Sequence, residues 1–92
     1  MEYKLAYIRE QGVVLIIIPL DESFKYKSDQ DKNAFSTFIQ GKATNAGLKG
    51  TVVLVWPDGR NMGFLSPPNF QPFFKSINLQ WVMGNLNKTL SY

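Results

Sequence analysis

Acid–base, nucleophilic and metal chemistry near neutral pH draws first on histidine and cysteine, and this chain of 92 residues contains neither. Their absence excludes thiolate nucleophiles, Cys–His and Ser–His–Asp arrangements, and most zinc, haem and iron–sulfur sites. What is left for chemistry is a set of seven carboxylates: Glu2, Glu10, Asp21, Glu22, Asp29, Asp31 and Asp58. All fall in polar loops, turns or helix starts, where solvation is the default and nothing pairs them as acid and base.

Asp29-Gln30-Asp31-Lys32-Asn33 opens like a calcium loop, but Ala34 stands where the loop needs glycine and Gln40 where it needs glutamate. Gly47-Leu48-Lys49-Gly50 has neither the spacing nor the following helix of a phosphate-binding loop. No catalytic residue, metal or cofactor is therefore nominated.

Binding residues are a different matter. Phe24-Lys25-Tyr26-Lys27 alternates rings with positive charge, the combination that stacks bases and meets phosphates in single-stranded nucleic acid. Its structural alternative is a loop whose rings anchor it while Lys25 and Lys27 stay wet. Trp56 and Arg60 flank Pro57-Asp58-Gly59, where an arginine can stack on the indole or both can serve as an interface hot spot. Trp81 lies off the apolar stripe of its predicted helix, so it either packs under the Phe70–Phe74 segment or faces a partner.

These residues must be positioned by one domain spanning residues 1–92, with 45% apolar residues and a net charge of +3. Ten basic residues against seven acidic ones permit nucleic-acid contact without arguing for it. Val13–Leu20 is too short to span a membrane and lacks a cleavage site, so a cytoplasmic chain with no membrane contact is expected.

Tyr3–Arg9 alternates as a strand and turns at Glu10-Gln11-Gly12 into Val13–Ile18, an unbroken aliphatic run that reads as a strand buried on both faces. Ser28 caps a helix whose predicted apolar face is Phe35, Phe38, Ile39, Ala43 and Ala46, ending at Gly47. Thr51–Trp56 is a second doubly buried strand, and Pro57-Asp58-Gly59 turns it into Asn61–Leu65. Phe70–Ile77 is an aromatic segment around one helical turn. Leu79, Val82, Met83, Leu86 and Leu90 predict a closing helix.

The expected fold is α+β: a β-β-α-β-β-α two-layer sandwich, with a four-stranded mixed sheet in order 1-2-3-4 and two helices. Two apolar central strands under only two helices leave one sheet face open, unless the helices take opposite faces. From that follows the expected function, a non-catalytic interaction module acting as a homodimer through a sheet face or the Trp81 side of the last helix. Its alternatives are a nucleic-acid-binding protein using Lys25, Tyr26, Lys27, Trp56 and Arg60, and a small-ligand protein or enzyme with a pocket lined by phenylalanines.

Overall fold

A computed structural model describes residues 1–92. Strands β1 (Glu2–Glu10) and β2 (Val13–Pro19) form the expected hairpin, closing on Glu10 opposite Val13. Its two turn residues, Gln11 and Gly12, both have positive φ (54° and 77°), which matches the turn's twist to that of the strands. A 3-10 turn over Glu22–Tyr26 then drops Phe24 into the core.

Helix α1 (Asp29–Asn45) begins where Ser28 Oγ accepts the Asp31 N–H at 3.1 Å. It ends at Gly47, whose φ of +82° lets Leu48 N–H reach Ala43 C=O at 3.0 Å and Gly47 N–H reach Thr44 C=O at 3.1 Å. Gln40 pins α1 to the strand that follows: its side chain donates to Gly50 C=O and accepts the Val52 N–H at 2.8 Å.

Strands β3 (Thr51–Asp58) and β4 (Asn61–Leu65) make the second hairpin, followed by α2 (Gln71–Ser76), α3 (Leu79–Gly84) and β5 (Lys88–Ser91). The sheet has five strands in the order β4-β3-β2-β1-β5. β2 and β3 are parallel neighbours, and the other pairs are antiparallel. Both aliphatic runs lie inside the sheet, as their lack of alternation requires.

The four-stranded, two-helix sandwich needs correcting on three points. First, the closing helix stops at Gly84, and Lys88–Ser91 becomes a fifth strand against the free edge of β1, with Leu90 opposite Tyr3. The helical spacing of Leu86 and Leu90 was overruled by that open edge. Asn87 cements the choice, because its side-chain amide accepts the Tyr7 N–H at 2.7 Å and donates to Tyr7 C=O at 3.0 Å.

Second, there are three layers. Ile39 and Ala43 of α1 pack with Leu5, Ile16, Ile18, Val52, Leu54, Trp56 and Leu90 on one face. Phe70, Phe74 and Val82 pack with Ala6, Leu15, Ile17, Val53 and Val55 on the other. The residues that alternate along each strand divide between two cores: Ile16 and Ile18 of β2 enter one, Leu15 and Ile17 the other, while Val13 at the start of the strand stays exposed.

Third, two side chains take other places than their sequence neighbours suggest. Pro57 sits within β3 opposite Met62, and the turn is Gly59-Arg60, with Gly59 at φ +62°. Pro57 is tolerated there because β2 has already ended at Pro19, opposite Val55, so no partner needs its missing N–H. Phe38 is 48% exposed: the buried stripe is aligned on Ile39, about 100° further round the helix.

Candidate functional site

No polar or charged side chain is buried in this molecule. The carboxylates are therefore at or near solvent, and no three acidic residues gather as a metal site would need. The features that can recognise something are apolar surfaces, strand edges and the charges beside them.

The 3-10 turn holds Lys25, Tyr26 and Lys27. Tyr26 is 77% exposed, and Lys25 Nζ lies 5.0 Å from its ring centroid while pairing with Glu22 at 2.9 Å. The Glu22 carboxylate holds Lys25 above its ordinary pKa. Asp21 starts the turn by accepting the backbone N–H and the hydroxyl of Ser23, and these bonds hold its carboxyl below the usual range. Part of the positive charge in this loop is thus answered inside it.

Trp56 is 6% exposed on the α1 face, in contact with Phe24 at a centroid distance of 5.1 Å. The cation over its ring is Lys32 of α1, at 4.9 Å, and not Arg60. Trp56 lies flat against Gly63 of β4, where any Cβ would collide with the indole. Arg60 instead lines a groove that also takes in Phe74 and Ile77, on the opposite side of the sheet. The structure brings Trp56 to the core beneath Lys25–Lys27 but does not bring Arg60 to either. Trp81 is half-buried and meets Phe73 edge-to-face at 5.8 Å, the packing expected under the aromatic segment. Its neighbours Asn78 and Asn85 are occupied within α3: Asn78 accepts the Trp81 N–H, and Asn85 donates to the Trp81 carbonyl.

Two surfaces went unremarked in the sequence. One is the outer side of α1. Phe38 stands beside Tyr92 with ring centroids 5.7 Å apart, Tyr92 stacks on Tyr3 at 6.3 Å, and Lys42 lies over both Phe38 and Tyr92. Burial, and then Tyr92, raises the pKa of Tyr3. The second is the groove between the β3–β4 hairpin and the junction of α2 and α3, with a volume of about 530 Å³. Only the absence of charge from residues 33–41 could have signalled the first; the second depends on a junction formed by tertiary packing.

Compared with models of protein families, with curated proteins and with solved structures, the chain matches none. No helix is long and apolar enough to cross a membrane.

Proposed function

We propose that this chain is a non-catalytic interaction module acting as a homodimer, and that the copies meet through the outer face of α1 beside Tyr92. The observation that carries this reading is the composition of that face. Ala34, Phe38, Gly41 and Asn45 follow one another at helical spacing, all exposed and none charged, and the charge beside them is Lys42, whose ammonium lies over the Phe38 and Tyr92 rings. A helix face that only meets water normally carries charge, whereas here an exposed phenylalanine is flanked by alanine and glycine, which leave room for close approach. In a two-fold dimer the patch meets itself, so each buried ring counts twice. Apolar area removed from water contributes ~25 cal/mol per Å². The sheet faces, which would have been the other dimer surfaces, are already covered by the chain's own helices.

Sedimentation equilibrium tests the proposal. The expected result is a dimer at micromolar concentration that Phe38→Asp converts to a folded monomer. A single species near 10.5 kDa, unchanged on concentrating, overturns it. Tyr26, exposed with Lys25 at its ring, favours a second reading, binding of single-stranded nucleic acid. Binding that falls steeply with salt and is lost in Tyr26→Ala would support that reading instead.

A further inference from the structure

The two edges of the sheet are guarded unequally. Edge strands ordinarily carry a lysine, a proline or a bulge that discourages another chain from pairing with them. β5 carries Lys88, whereas β4, Asn61-Met62-Gly63-Phe64-Leu65, has no charged residue and no proline, and it pairs with β3 in unbroken register. The Gly59-Arg60 turn closes on Asp58 opposite Asn61, so the hydrogen-bonded pairs are that one, Trp56 with Gly63, and Leu54 with Leu65. The backbone N–H and C=O groups of Met62 and Phe64 consequently point away from β3, out of the sheet.

The side chains of the same two residues fall on the α2–α3 face and wall the groove of about 530 Å³, together with Phe74 and Ile77. Arg60 and Lys75 also stand in that wall, and no carboxylate does. An open strand edge, an apolar groove beside it and two unanswered cations thus occur together.

We infer that β4 and this groove bind an extended peptide segment of another protein, one that carries an apolar residue and a carboxylate two positions apart. A strand added antiparallel to β4 would pair with Met62 and Phe64 through main-chain hydrogen bonds. Its residues opposite those two point to the groove side, because directly opposed residues share a face. One can fill the space against Phe64 and Phe74, and the other can meet Arg60 or Lys75. A second copy of this chain fits poorly, since it would bring a further Arg60 and Lys75 to a groove that already holds two cations. The site lies apart from the outer face of α1, so the inference and the homodimer stand or fall separately.

The test is an amide chemical-shift titration of the full chain with a capped heptapeptide, threonine-isoleucine-threonine-glutamate-threonine-isoleucine-threonine. Expected are saturable shifts within residues 60–65 and 74–80, with a dissociation constant below about 1 mM. Replacing the glutamate by lysine should weaken binding roughly tenfold, and Lys75→Glu should reverse that preference. Met62→Pro removes an outward N–H at a position where an edge strand tolerates proline, and it should abolish binding. If that variant does not fold, Lys75→Glu, at an exposed position on α2, decides the matter alone. No saturation at about 1 mM, equal affinity for the lysine peptide, or shifts centred on Phe38 would each overturn the inference.

Discussion

One face of the sheet lies under a single 17-residue helix, the other under two helices of six residues each. α1 carries much of its own support: a side-chain cap at Ser28, acidic residues in its first turn, and a glycine stop whose two hydrogen bonds close its last turn. α2 and α3 are far below the length at which a helix holds itself in water. α2 also lacks a side-chain cap, so it is held chiefly by burial of its own Phe74 and of Phe70 in the turn just ahead of it. One cover is therefore a formed helix that docks, and the other is chain shaped by docking. A region of the second kind should open first, since little but apolar contact keeps it closed.

That contrast is best challenged where the second cover is anchored. Phe74 is 1% exposed, and Phe74→Ala should cost about 3–5 kcal/mol in chemical denaturation. Amide hydrogen exchange should show α2 and α3 opening well before α1 in the native chain, and equal protection in the two would break the comparison.

Gly63→Ala probes the α1 face from its rim. The added Cβ meets the Trp56 indole, a ring packed on Phe24 and unable to move away freely, so a loss of about 1–3 kcal/mol is expected. Wild-type stability would mean that Trp56 is loosely held.

Phe38→Ala should cost less than ~1 kcal/mol in the monomer, because the ring is half in solvent, while removing self-association. A core-sized loss would return Phe38 to the buried stripe.

The smallest effect is electrostatic. The pKa of Tyr3 in the folded chain is raised above its ordinary 10.0, so the unfolded chain gives up this proton first. Stability should thus be full below about pH 10 and decline as pH rises through the folded value. Lys25, also raised, acts in the same direction. Tyr3→Phe should flatten part of the alkaline slope in thermal melts recorded across that range, and an unchanged slope would exclude Tyr3 as its source.

Most of what the sequence revealed concerns groups that are neighbours along the chain. The Gln11-Gly12 turn, the Ser28 cap and the Gly47 stop all work over a few residues, so composition and spacing were enough to locate them. The two aliphatic runs were legible for another reason: a strand without alternation has to be covered on both sides. Which element covers which side was not written locally. Phe38 and Ile39 are both apolar and adjacent in sequence, and only the docking of α1 on the sheet buries one and exposes the other.

The candidate sites divide along the same line. Tyr26 with Lys25 is a local motif and could be named in advance, whereas the groove at Arg60 and Lys75 joins a hairpin to the α2–α3 junction and could not. The carboxy-terminal segment shows the principle most plainly. Leu79, Val82, Met83, Leu86 and Leu90 keep a helical period across Gly84, where the helix of the structure ends. Periodicity records only that apolar residues can share a face; it does not record that β1 has an unpaired edge. By itself, the sequence determined the first hairpin turn, the Ser28 cap, the Gly47 stop and the two strands that must be interior, whereas the second turn lies at Gly59-Arg60, past the Pro57-Asp58-Gly59 expected. Tertiary structure decided that Lys88–Ser91 would be a strand, because the hydrogen bonds that make it one belong to residues more than eighty positions away.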